Sequence, residues 1–369
     1  MNQLFRWNQM GLFLLALAAG ILPFAVPEVC AAALREGLTL CSGPLLLSLF
    51  PFLVVSRLLV QCPESDLLAL PFRLAAWGIG IRTPCAARVL CIGFLGGFAP
   101  AASAAAQAVR TGQLTAEEAD ALLPACICSG PSFVVLTVGQ SLLGSAELGV
   151  LLFASQITAN YLTAALLNRF AGARSVKPGS AAPASPAPPR LDEILADAAI
   201  TYCKLCGFIL FFRMLAAGAG ALLPAGVGTL CSILLEVCSG CDLASRTGRW
   251  GSLLCCAALS VQGLSVLLQV RTICPPEMTL RPLYRARMLH LPLSLALFYL
   301  LLPGGEADVF STLPARVLLM RRVPPDCALL VFAVCCMAAC TLRSGIRQVE
   351  QKQMARNAGG CCINSKTLL

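Results

Sequence analysis

The stretch ACICSGPSFVVLTVG, residues 125–139, is apolar enough to enter a bilayer, yet its first half places Ser129, Gly130, Pro131 and Ser132 in a row. Proline removes a backbone donor and glycine loosens the chain, so a continuous helix is expected to stop here. A backbone group released from a helix in hydrocarbon finds no water to bond. The break is therefore expected to be covered by protein or to line a polar cavity.

The solvent follows from composition. Of 369 residues 58% are hydrophobic and 12% charged, more apolar surface than a water-soluble core of this length buries. The apolar residues also come in runs, over 10–26, 38–60, 89–109, 121–143, 148–167, 199–215, 222–237, 253–270, 289–302 and 328–342. The expectation is an all-α polytopic membrane protein with about eight to ten transmembrane or re-entrant helices. The first run has the charged start and small-residue end of a cleavable signal, but the polytopic chain behind it favours an uncleaved helix.

The net charge of +9 does not mark a nucleic-acid surface, because the basic residues lie in loops and tails without interleaved aromatics. Arg169, Arg174, Lys177 and Arg190 flank a Pro/Ala/Ser-rich linker with no acid, and Arg343, Arg347, Lys352, Arg356 and Lys366 crowd the tail against Glu350. Both are expected on the cytoplasmic side or its equivalent, with the turn GGEAD at 304–308 opposite. The chain then divides into an N-terminal membrane helix (1–37), a first half (38–168), the linker (169–190), a second half (191–271), C-terminal membrane helices (272–342) and a basic tail (343–369).

Catalytic and metal signals are weak. The 21 cysteines are mostly embedded in apolar runs, where they act as small hydrophobes, and CKLC at 203–206 and CSGC at 238–241 face a chain with one histidine, His290. No phosphate-cradling loop, zinc-binding HExxH or nucleophile elbow is present, and His290 is expected at the membrane interface. The chain is not expected to be an enzyme or to carry a cofactor. Thr115 and Glu118 have the spacing of a capping box, so Glu117, Glu118 and Asp120 are expected in a solvated first turn. Residues 67–80 mix Arg73 and Trp77 with leucines, as an interfacial segment does.

Three features recur in order on either side of the linker. FLVVSRLL at 52–59 matches FILFFRML at 208–215, placing Arg57 and Arg213 at equivalent positions. GFLGGFAPAASAAAQ from Gly93 and LLEVCSGCDLAS from Leu234 are each interrupted by small residues. Gly130-Pro131-Ser132 ahead of FVVL matches Gly263-Leu264-Ser265 ahead of VLLQ. Broken helices at corresponding places in two halves are the mark of a transporter, in which helix ends and unwound carbonyls hold solute and ions. Ser129, Ser132, Ser239, Gln262 and Ser265 add polar side chains there; for any one of them, close helix packing is the plainer reading.

The segment GGFAPAASAAAQAVRTGQLTAEEADALLPACICSGPSFVVLTVGQSLLGSAELGVLL, with LFPFLVVSRLL before it and LLEVCSG and VQGLSVLLQV after it, resembles the YlbJ-like sporulation integral membrane proteins of the nucleoside-recognition Gate-domain group. The resemblance covers roughly 45–270. It implies a protein of the outer forespore membrane that passes dipicolinic acid during sporulation. It also implies a distant likeness to concentrative nucleoside transporters, with two re-entrant hairpins and two broken helices around a midplane site. On that likeness Gly130, Pro131 and Ser132 belong to a broken element of the first half, and Glu236 and Ser239 to one of the second. This chain departs from the pattern in having no Asn near Cys128 and no His near Gln156, which sets its contacts apart from the group's.

Glu236 lies deep in an apolar run, where an ionisable residue is costly unless paired or functional, so it is the expected holder of a coupling proton or Na+. Arg57 and Arg213 are expected to offer two guanidinium forks to a dicarboxylate, or else to snorkel to an interface. The functional expectation is a transporter for a small anion such as dipicolinate in the forespore membrane or another bacterial membrane. The alternatives are a nucleoside or other small-solute carrier of the same fold, and a non-transporting membrane assembly protein.

Overall fold

The computed structural model describes residues 2–61, 63–170 and 191–302. The centre of the linker, the turn at 304–308, the run at 328–342 and the basic tail lie outside the described residues. All regular elements among the described residues are helices.

The chain opens with α1 (Asn2–Ala25) and α2 (Pro27–Ser42), bent by 110° where Pro27 ends the first helix. Next come α3 (Pro44–Gln61) and the short α4 (Leu70–Gly78). On α4, Leu70, Arg73, Leu74 and Trp77 are exposed, the layout of a helix lying along an interface. Helices α5 (Pro84–Gly96) and α6 (Phe98–Arg110) turn back on each other at Gly97. Helix α7 (Ala116–Cys126) is followed by a π-helical segment (Ser132–Leu142) and by the long α8 (Ala146–Phe170). Beyond the linker run α9 (Leu191–Leu222), α10 (Ala225–Leu235), α11 (Val237–Ser245), α12 (Gly251–Val261), α13 (Gly263–Ile273) and α14 (Arg281–Leu301).

Among the described residues three helical stretches are long and apolar enough to cross a membrane: Ala146–Phe170, Leu191–Leu222 and Gly248–Ile273, with a fourth if the bent pair Phe13–Ala25 and Pro27–Ser42 is one span. Large side chains such as Phe24, Leu74 and Met288 stand exposed on the outer faces, as lipid contact requires. The chain is built as a membrane-embedded protein.

Two expected spans prove to be something else. Residues 89–109 fall in two 13-residue helices, each about 20 Å long, and residues 222–237 end on an 11-residue helix about 16 Å long. Neither arm covers the roughly 30 Å of a hydrocarbon core. In the second hairpin a Cβ on Gly240 would lie 2.8 Å from Cα of Ile233, so α10 and α11 pack antiparallel with their tip at Glu236. The run 38–60 is also divided, since α2 stops at Ser42 and α3 starts at Pro44.

Side-chain size explains how the first hairpin is buried. Ala99, Ala101, Ala102, Ala104, Ala105, Ala106 and Ala108 of α6 are all fully covered, so the arm has neighbours on every side. The π segment meets α8 backbone to backbone, where a Cβ on Gly139 would come within 2.4 Å of Cα of Gly149. Such glycine contacts are how helices approach when lipid supplies no hydrophobic drive.

The acidic first turn of α7 differs from expectation. The capping box is present, with Thr115 Oγ1 accepting from the Glu118 amide at 3.1 Å and Glu118 Oε2 accepting from the Thr115 amide at 3.0 Å. Glu117 is exposed, but Glu118 and Asp120 are buried. Glu118 also accepts from the Thr83 hydroxyl, and Asp120 accepts from the Thr279 amide, the Thr279 hydroxyl and the Leu280 amide at 2.7–3.1 Å. Asp120 thus fastens the start of α14 to α7, where Leu280 adopts φ 56°.

Candidate functional site: four helix breaks in contact

Each hairpin tip crosses a broken helix. At the first tip Gly97 has φ 80° and ψ −163°, a conformation only glycine adopts readily. A Cβ there would lie 2.7 Å from the amide nitrogen of Gly130 and 3.1 Å from the Cys128 carbonyl. At the second tip the pattern repeats: Gly263 has φ 69°, and a Cβ on it would lie 2.9 Å from the Leu235 carbonyl and 3.0 Å from the Glu236 amide. The two pairs are joined by Gln262, whose side-chain amide donates to Ser129 Oγ at 3.3 Å and to the Leu259 carbonyl at 2.8 Å. Gln262 is itself in the left-handed region, φ 64°. Four interruptions far apart in sequence form one continuous contact.

Side chains take up part of the backbone released at two of the breaks. Pro131 has no N–H to offer the carbonyl four residues earlier, that of Ile127. Asn160 Nδ2 donates to it at 3.2 Å and Arg287 Nη2 at 2.5 Å. In the second half Glu236 is extended, φ −151° and ψ 126°, and its carboxylate accepts from the Cys238 amide at 2.9 Å and the Ser239 amide at 2.7 Å. The expected coupling carboxylate therefore serves as the N-cap of α11, its charge set against the positive end of the helix.

The remaining predicted residues divide. Gly130 lies against Gly96, where a Cβ would fit at ordinary contact distance, 3.4 Å from the Gly96 carbonyl oxygen. Ser132 is half-buried at the start of the π segment, and Ser239 is half-buried on the first turn of α11. Ser265 is buried and accepts from Gln269 Nε2 at 2.9 Å. Arg57 is buried, ion-pairs with Asp197 and donates to Ser103 Oγ and Thr201 Oγ1, each at 3.3 Å. Arg213 instead pairs with Glu36 at 2.7 Å. Thr201 and Arg213 are twelve residues apart on α9, about 18 Å along the axis, so the two guanidiniums do not converge on one small dicarboxylate.

Arg57 lines a cleft of about 370 Å³ with Gln107, Arg110, Asp197, Thr201, Lys204, Gln269 and Thr272. Three cations face one acid. Gln269 is one helical turn beyond Ser265, so the inner end of the cleft approaches the break at Gln262.

Sequence reasoning missed a second polar layer, between α8, α12 and α14. Gln156 Nε2 donates to Ser260 Oγ at 3.0 Å, Ser260 bonds Ser294, and His290 Nε2 lies 3.2 Å from the Gln156 carbonyl. His290, expected at the membrane interface, is buried on the same face of α14 as Arg287 and Ser294, while Arg281 and Arg285 are exposed. Gln156 Oε1, Gln262 Oε1, Gln269 Oε1 and His290 Nδ1 are buried with no hydrogen-bond partner among the described residues. The signal that could have found this layer is the pair Arg287 and His290, polar residues three apart on one face where the apolar run of α14 begins.

Comparison with models of protein families, with curated proteins and with solved structures gives no match.

Proposed function

We propose that the protein is a membrane transporter for a small anionic solute, with the solute held where the four breaks meet. The contact joining Gly97, Gly130, Gln262 and Glu236 is the observation that carries this reading, because packing alone would need no such gathering of unwound backbone. An anion is favoured by two features. The N-cap residues of α6, the π segment and α13 make no side-chain hydrogen bond to the first turn, so among the described residues no side-chain cap offsets these three positive helix ends. The cleft beside Arg57, Arg110 and Lys204 gives a negatively charged solute an attractive approach.

The halves are read as an inverted repeat. Each consists of a long helix (α3 or α9), a hairpin (α5–α6 or α10–α11), a broken helix (α7 with the π segment, or α12–α13) and a closing helix (α8 or α14). Their contacts come in matching pairs: α3 packs on α9 and α8 on α14, while α6 touches α13 as α11 touches the π segment. A half of this design crosses three times, an odd number, which inverts its successor. By its resemblance to the YlbJ-like group, the solute is dipicolinate and the membrane the outer forespore membrane. Uptake of labelled dipicolinate into vesicles containing the purified protein, competed by phthalate and not by uridine, is the expected result. Competition by uridine alone would assign the site to nucleosides.

A further inference from the structure

Arg287 has an unusual set of partners. It is 7% exposed, and among the described residues no carboxylate lies within ion-pairing distance of it. Its Nη2 donates to the Ile127 carbonyl at 2.5 Å and to Asn160 Oδ1 at 3.4 Å, its Nη1 donates to the Ser260 carbonyl at 3.3 Å, and its Nε has no partner. Ile127 caps the C-terminal end of α7, and Ser260 is in the last turn of α12. Each stands three residues ahead of one of the glycines, Gly130 and Gly263, that align between the halves. Two equivalent negative helix ends are thus bridged by a single buried guanidinium.

Half-helix C-terminal ends and unwound carbonyls are the ligands with which broken-helix transporters hold alkali cations. We propose that Arg287 is a tethered cation that fills this position from within the chain, so that no mobile sodium ion binds between the two breaks. A planar fork suits the task, since it reaches two carbonyls at once and keeps its charge at all working pH values. The oxygen set supports the assignment: two backbone carbonyls and one carboxamide oxygen, with no carboxylate, solvate a single positive charge through dipoles, as they would an alkali cation. This inference takes its mechanistic meaning from the transport reading, but its geometry stands without it.

The test is thermal unfolding of the full-length protein in detergent, with sodium chloride exchanged for choline chloride at equal ionic strength. Wild type is expected to unfold at the same temperature in both salts. Arg287→Ala is expected to unfold at a lower temperature, by on the order of 5 °C, and to become selectively stabilised by sodium, or by millimolar guanidinium, entering the vacated position. Wild type stabilised by sodium over choline overturns the proposal, as does folded Arg287→Ala that responds to neither cation. Should Arg287→Ala fail to accumulate, Arg287→Lys serves: it keeps a positive charge and is expected to remain indifferent to sodium. Stabilisation of wild type by phthalate that Arg287→Lys loses would overturn it too, by making the arginine a ligand for the anion. Vesicle uptake of dipicolinate separates this from the broader reading, because absence of uptake counts against a transporter and leaves the sodium response of the two proteins to decide the cation site.

Discussion

Glu236 sets its own carboxylate on the first turn of α11, where it accepts from the Cys238 and Ser239 amides. Losing a cap of this kind costs about 1–2 kcal/mol, with the helix-end charge contributing a part of it. Glu236→Ala is therefore expected to lower the unfolding temperature, and Glu236→Gln, which keeps an acceptor, to lower it less. Equal stability of Glu236→Ala and wild type in a thermal melt would show that the cap contributes nothing. Two glycines make a sharper pair. Gly263→Ala introduces a Cβ 2.9 Å from a backbone carbonyl at φ 69°, whereas Gly80→Ala meets open space at φ 89°. Both carry the left-handed strain of about 1 kcal/mol, but only the first must push two breaks apart. Gly263→Ala is expected to be markedly less stable than Gly80→Ala in the same melt.

At the scale of elements, the stretch at 125–139 was legible as a break because Gly130 and Pro131 act through local backbone chemistry. Its partners were not legible, since Gly97, Gln262 and Asn160 reach it only through packing. The same limit misplaced Glu118 and Asp120: their capping spacing is local, but their burial depends on Thr83 and Thr279 in other elements. Half-length hairpin arms read as full spans because hydropathy measures what a helix is made of and not where it turns; the tip at Gly97 is one positive φ among apolar neighbours. For the break itself, Gly130→Ala/Pro131→Ala favours the helical form by roughly 3 kcal/mol or more on local propensity. A Cβ at Gly130 fits its site, and the propensity gain offsets the loss of the Ile127 carbonyl from Arg287, so the double variant is expected to unfold within a few degrees of wild type, with helix content by circular dichroism at least as high. A large drop in unfolding temperature would mean that the break is a packing notch.

For the whole molecule, the order proposed for each half, long helix, hairpin, broken helix and closing helix, was only partly visible in sequence. The arginines of the matching octapeptides, Arg57 and Arg213, lie on the two long helices, yet they pair with different acids and do not share a ligand. Matching sequence did not give matching chemistry, because a guanidinium's partner is chosen by whichever acid the fold brings near. On the proposed inverted repeat, three crossings after the linker and one more by the apolar run at 328–342 would return the chain to the side of the linker. Cysteine-accessibility labelling at positions 180 and 355, in a background with the native cysteines replaced, is expected to find both on one side, in keeping with their basic surroundings. Labelling on opposite sides would break the repeat count.

The central claim is that unwound backbone at the meeting of the breaks holds the solute, and the Gly130→Ala/Pro131→Ala protein isolates it. Uptake of labelled dipicolinate is measured in vesicles containing equal amounts of folded wild-type and variant protein. Wild type is expected to accumulate the label, and the variant, its carbonyls and amides returned to helical hydrogen bonds, to fall to the level of empty vesicles. Uptake by the variant equal to wild type, molecule for molecule, would contradict the account.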